Sequence, residues 1–179
     1  MALHRPNLRR LAGFTLIELM VALAVAAVLT AVALPSFNDL LRGNRVSSTS
    51  NNLLTAINLA RSEAIKTNRG GGVCASTDGS TCSTVATAWT SGWIVWADLD
   101  NSGALNLVPV DERIRIEGAQ RQVTVTATAA AMRFNARGRP TAAFDLAVRS
   151  VVCPTGQTYA RDVNLLASGM VRIARTTCP

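Results

Sequence analysis

The chain has 179 residues, 49% of them apolar, and a formal net charge of +7, which fits one domain plus an apolar anchor. Its one histidine, His4, precedes the apolar run, so the rest of the chain has no His-based acid–base chemistry, Ser/His triad or common zinc site. No Walker-type phosphate loop and no C-x-x-C pair is present, which argues against nucleotide, thioredoxin-like and cysteine-metal chemistry.

His4, Arg5, Arg9 and Arg10 form a basic leader. After it comes Gly13-Phe14-Thr15-Leu16-Ile17-Glu18-Leu19-Met20 and an apolar run reaching Phe37. As a helix, Phe14 to Leu34 would extend about 31 Å, the thickness of a bilayer core. The run is longer than a secretory signal core and lacks a small-x-small cleavage site behind it. A carboxylate inside such a run is costly, and Glu18 is therefore read as functional.

Pro35 is expected to kink the helix and Gly43 to loosen it. From Val46 the pattern turns amphipathic, with Val46, Leu53, Ile57, Ala60 and Ala64 on one stripe, Leu54 and Ile65 beside it, and an i, i+3 pair Glu63–Lys66 on the outer side. Asn68-Arg69-Gly70-Gly71-Gly72 is read as the helix end. Short strands are predicted at Gly72–Ala75, Trp93–Ala97, Ala104–Leu107, Ile114–Glu117, Val123–Ala127 and Met132–Phe134. After the turn Arg137-Gly138-Arg139-Pro140 come Phe144–Val148, Val151–Cys153, Thr158–Asn164 and Met170–Ala174. A long helix on one antiparallel sheet makes an α+β fold. Trp93 and Trp96, three apart on a strand, should face opposite ways, one in the core and one partly exposed.

The basic N-terminal flank stays cytoplasmic by the positive-inside rule, which puts the domain in an oxidising compartment where disulfides persist. Of three connectivities, local closure favours Cys74–Cys82 and Cys153–Cys178. Asp98-Leu99-Asp100-Asn101-Ser102-Gly103 begins like a calcium loop, but Pro109 stands at the twelfth position, where an EF-hand needs a bidentate carboxylate. These residue types also make a turn, and the turn is the preferred reading, with no metal, cofactor or catalytic residue expected. Charge is uneven: from Arg113 onward there are ten Arg against three acids. A basic half of this kind signals an anionic partner, a solvated face or ion pairs between subunits.

Gly13-Phe14-Thr15-Leu16-Ile17-Glu18 resembles the processing signature of type IV prepilins and type II secretion pseudopilins. Gly92-Trp93-Ile94-Val95-Trp96-Ala97-Asp98, Phe134-Asn135-Ala136-Arg137-Gly138-Arg139 and Ala167-Ser168-Gly169-Met170-Val171-Arg172-Ile173 are similar to later segments of GspH/FimT-type minor pilins and pseudopilins. The resemblance implies a pilin-like fold without enzymatic activity. It divides the chain into a leader at 1–13, a membrane and assembly helix at 14–37, and a periplasmic domain at 38–179. It also implies cleavage after Gly13 and N-methylation of Phe14 by a prepilin peptidase/N-methyltransferase. Expected partners are other minor and major (pseudo)pilins and the inner membrane, with Glu18 meeting the terminal ammonium of a neighbouring subunit. The implied role is at a filament tip, priming a type II secretion pseudopilus or a type IV pilus. Some FimT-type members bind DNA through a Gly-Arg-x-Arg motif. Here the matching stretch reads Gly169-Met170-Val171-Arg172, one Arg short, leaving Arg137, Arg139, Arg172 and Arg175 as candidate DNA contacts in natural transformation.

Overall fold

The computed structural model describes residues 13–106 and 111–179, with the side chains of 32–36 also outside the description. The basic leader, the side chains of Leu34 and Pro35, and the positions Leu107 and Pro109 thus lie outside the described residues. The chain divides into two units, Met1–Asp39 and Leu40–Pro179.

One helix, α1 (Leu16–Thr67), begins in the first unit and ends in the second, with Pro35 and Gly43 both inside its helical span. The large apolar side chains from Phe14 to Leu29 are exposed, a surface that water alone does not favour. Among the described residues no helix is long and apolar enough to cross a membrane; those side chains run from Leu16 only to Ala31 before the gap at 32–36.

In the second unit α1 buries Val46, Leu53, Ala56, Ile57, Ala60 and Ala64, a stripe set by helical periodicity. The pair Glu63–Lys66 closes at 3.1 Å on the outer side. The helix stops at Thr67, and Asn68 takes a left-handed φ of 53°, as a C-terminal cap does. The glycines after it are not the helix end but the start of β1 (Gly70–Ala75), a wholly buried strand. The reason is space. A Cβ on Gly71 would lie 2.7 Å from the Ala60 carbonyl oxygen of α1, and one on Gly72 would lie 2.1 Å from the Trp96 ring. Only glycine lets the strand fit between helix and indole.

The remaining strands are β2 (Trp93–Asp98), β3 (Glu112–Glu117), β4 (Val123–Ala127), β5 (Ala131–Asn135), β6 (Phe144–Ser150), β7 (Ala160–Leu165) and β8 (Val171–Thr176). They form not one sheet but two four-stranded antiparallel sheets, ordered β3-β2-β1-β5 and β4-β6-β7-β8. The chain changes sheets three times, from β3 to β4, from β4 to β5 and from β5 to β6; the second crossing is tied down by hydrogen bonds. There the Ala75 N–H donates to the Ala130 carbonyl at 2.9 Å and the Trp89 indole N–H to the Ala129 carbonyl at 2.9 Å. Trp89 sits in a short 3₁₀ turn, Ala88–Ser91, fully buried and edge-on to Phe144 with ring centroids 5.7 Å apart. The inner residues of both sheets, such as Val73, Val95, Val125 and Leu146, share one core with the α1 stripe.

Three sequence expectations are corrected. Residues 104–106 are loop rather than strand, and the Asn106 N–H is taken by the Asp111 carboxylate at 2.7 Å instead of by a strand partner. Val151–Cys153 is also not a strand; Val151 and Val152 are exposed and the chain bends away into the Cys153–Cys178 bridge. β-Branched residues there gave a propensity without a strand partner. Trp93 and Trp96 do face opposite ways, but both are buried. Trp96 belongs to a small second cluster with Cys74 and Ile94, roofed by Cys82 and Leu105. Loops invisible to strand periodicity cover that face.

Both disulfides close local loops: Cys74–Cys82 across 8 residues and Cys153–Cys178 across 25. Chain-entropy stabilisation is about 2.5 kcal/mol for the first loop and about 3.5 kcal/mol for the second. The second also holds the last residues, with the Cys178 N–H on the Gln157 carbonyl at 2.7 Å and the Gly156 N–H on the Cys178 carbonyl at 3.2 Å. A Cys153→Ser/Cys178→Ser chain should therefore lose about 3 kcal/mol in urea unfolding and show faster amide exchange at 156–157 and 178. Unchanged exchange there would show that the terminus is held without the bridge.

Candidate functional site

At the N-terminal end, Gly13 and Phe14 are exposed, Phe14 by 90%, and both precede the helix. Thr15 is the N-cap and Glu18 the third helical residue. The Glu18 N–H donates to Thr15 Oγ1 at 3.3 Å, and the Thr15 N–H donates to Glu18 Oε2 at 2.9 Å. The Thr15 hydroxyl also donates to Oε2 at 2.9 Å. This reciprocal pair is a capping box, in which two orphan donors of the first turn are satisfied. All of these bonds to the carboxylate fall on Oε2; Oε1 accepts none from the described residues. Sequence reasoning singled out Glu18 for its charge and missed Thr15, although the spacing Thr-x-x-Glu is the signal for such a box.

The four candidate arginines are all exposed but do not form one patch. Arg137 and Arg139 lie in the turn after β5, where both backbone N–H groups donate to Asn135 Oδ1 at 3.0 and 3.1 Å. Gly138 between them has φ 68°, and a Cβ there would meet Ile65 of α1 at 2.6 Å. Gly169, in the turn before β8, accepts from Arg61 Nη1 at 3.0 Å and lies against Pro140. The two turns therefore meet over Arg61, at the Arg172 end of β8. Arg175 is three residues further along, on the opposite face of the strand. It stands beside its cross-strand neighbour Arg161, whose Nη2 donates to Ser47 Oγ of α1 at 2.7 Å. Arg61 and Arg161 were not singled out from sequence; nothing in their spacing marks them, and only the docking of α1 gives them partners.

The acidic segment between β2 and β3 is the third feature. Asp98, Asp100 and Asp111 each bring one carboxylate oxygen within 4.8 Å of the others. Asp98 Oδ2 accepts from the Gly103 N–H at 2.9 Å, Asp100 Oδ1 from the Ser102 N–H at 2.9 Å, and Asp111 from the Leu99 and Asn106 N–H groups at 2.8 and 2.7 Å. Burial pushes the Asp98 carboxyl up, with Asp100 and Asp111 adding to the rise against the Gly103 hydrogen bond. Exposed Asp100 is lowered to about 2, chiefly by its bonds from Ser102. Asp111, thirteen residues after Asp98, was not in the sequence-level motif. Its approach depends on the path of the chain between them.

Residues 49–169 match the family model described as Type II transport protein GspH, and residues 8–34 match the prokaryotic N-terminal methylation motif. No curated protein matches the chain. Among solved structures, the type IV minor pilin FimU of Pseudomonas aeruginosa is similar at 19% identity and a TM-score of 0.53, over 76% of this chain and 96% of that one. The minor pseudopilin EpsH of the Vibrio cholerae type 2 secretion system is similar at 12% identity and a TM-score of 0.51, over 73% and 97%. Both likenesses are of fold, a helix on antiparallel sheets.

Proposed function

We propose, for a chain that belongs to the Type II transport protein GspH family, that it is a minor pseudopilin or minor pilin working at or near the tip of a filament. The prepilin peptidase/N-methyltransferase cuts between Gly13 and Phe14 and methylates the new amine. The apolar part of α1 holds the subunit in the inner membrane, and the disulfide-bearing domain stands in the periplasm. There it joins major and minor (pseudo)pilins and primes assembly for protein secretion or pilus biogenesis. It contributes no catalytic chemistry.

The observation that carries this reading is the exposed apolar start of α1 with Glu18 as its one carboxylate. Once 13 leader residues are removed, Glu18 is the fifth residue, one helical turn from the Phe14 amine. Oε2 stays with Thr15, while Oε1 is turned to the ammonium of a neighbouring subunit. Either charge alone is costly in lipid, and pairing them offsets part of that cost in one axial register.

The test is a clean deletion assayed in parallel for exoprotein secretion and for surface pili with DNA uptake. Lost secretion with intact pili assigns the subunit to type II secretion; lost pili with intact secretion assigns it to a type IV pilus. No effect on either process would overturn the reading.

A second reading is a DNA-binding minor pilin acting in natural transformation. It draws on the meeting of the Arg137–Arg139 turn with the Gly169 turn over Arg61. Phosphate contacts there would be independent of sequence and sensitive to salt. Because Arg175 lies on the other face of β8, this reading expects Arg137→Ala/Arg139→Ala to weaken DNA binding more than Arg175→Ala does. Equal retention by both variants would remove it.

A further inference from the structure

The geometry points to a divalent-cation site, of the kind that suits Ca²⁺, formed by the carboxylates of Asp98, Asp100 and Asp111 where β2 leads into the segment before β3. Calcium–oxygen distances are about 2.3–2.6 Å, so two oxygens on one ion stand at most about 5 Å apart. The three carboxylates meet that condition, with one oxygen of each within 4.8 Å of the others.

Proximity of acids alone would not make a site. The second observation is Asp98 itself. It is 5% exposed, and its Oδ1 is buried and accepts no hydrogen bond from the described residues. A buried carboxylate oxygen without a partner is costly, and here two more carboxylates stand beside it. The nearby cations do not neutralise them. Arg69 turns its guanidinium to the Leu99 carbonyl, and the Arg133 guanidinium lies over Gly103; among the described residues neither forms an ion pair with the three acids. A hard divalent ion satisfies Oδ1 and relieves the repulsion together, with water or backbone oxygens completing its shell.

Such an ion would tie the end of β2 to the start of β3, under the Leu105 roof of the Trp96 cluster. The site would then set the order of this loop, on the surface next to Trp96, by the calcium concentration outside the cytoplasm.

The test uses the full chain in detergent micelles with Tb³⁺ as the optical probe and Ca²⁺ as its competitor. Trp96 shares a strand face with Asp98 and serves as the sensitiser. Wild type should show tryptophan-sensitised terbium emission that Ca²⁺ displaces, with an apparent Kd on the order of 0.1–1 mM. At about 10 mM Ca²⁺ and matched ionic strength the melting temperature should rise by roughly 5 °C over that in chelator. Asp100→Asn removes one charge at an exposed position and leaves the fold intact; it should weaken binding about tenfold or more. Wild type melting alike in calcium and in chelator would overturn the site. So would an Asp100→Asn/Asp111→Asn chain that binds terbium as wild type does.

Discussion

A Glu18→Ala chain should still be cut between Gly13 and Phe14 and reach the membrane at the wild-type level, yet fall about tenfold or more in sheared filaments. A charged hydrogen-bonded pair is worth about 1.5–3 kcal/mol, which corresponds to roughly one to two orders of magnitude in occupancy. The capping box makes this experiment separable. Glutamine also serves at the third helical position of a capping box, so Glu18→Gln keeps an acceptor for the Thr15 N–H while removing the charge. If Glu18 acts by pairing with a neighbour's ammonium, Gln fails as Ala does. Thr15→Ala is the reverse case: it costs about 1 kcal/mol of helix capping, keeps the carboxylate, and should leave recruitment close to wild type. Immunoblots of sheared filaments against whole membranes read all three. Full recruitment of Glu18→Gln would reassign Glu18 to capping the helix.

Trp89→Ala should be the most damaging single change in the domain, costing about 3–5 kcal/mol. Stabilities of single domains are only about 5–15 kcal/mol, so this is a large share of the whole. Two losses add. The indole belongs to the shared core and its turn packs on strands of both sheets, β1 and β4, with Trp89 fully buried against Phe144. Its N–H also donates to the carbonyl of exposed Ala129 in a segment where the chain changes sheets, and that hydrogen bond goes with the indole. Trp89→Phe keeps much of the ring volume and loses the hydrogen bond, so it should cost about 1–3 kcal/mol. Urea unfolding of the full chain in detergent reads the difference through the emission of Trp93 and Trp96, with a midpoint roughly 2 M lower for the Ala variant. A loss below about 1 kcal/mol for Trp89→Ala would mean that Trp89 is not the packing centre of this core.

What the sequence determined by itself is what depends on local order. The stripe Val46–Leu53–Ile57–Ala60–Ala64 follows from helical period alone, and each of these side chains is buried. Most strands were legible within a residue or two because alternation and turn residues are local as well. Glu18 was legible because one carboxylate in an apolar run is anomalous in any fold. The tertiary structure decided what depends on distant segments meeting. Gly70 and Gly71 read only as a helix stop, since glycine breaks helices locally, while a strand was expected from Gly72; the strand starts two residues earlier, in the narrow space left by Ala60 on one side and Trp96 on the other. One of Trp93 and Trp96 read as partly exposed, yet both are buried, because the cover over Trp96 comes from loops around Cys82 and Leu105. One expected sheet became two because a strand's pattern records its buried face and not its hydrogen-bonded neighbour. For the same reason Asp98 and Asp100 were visible as a motif while Asp111 was not. Its carboxylate joins theirs only through the long return from β2 to β3, and spacing along the chain carries no record of that closure.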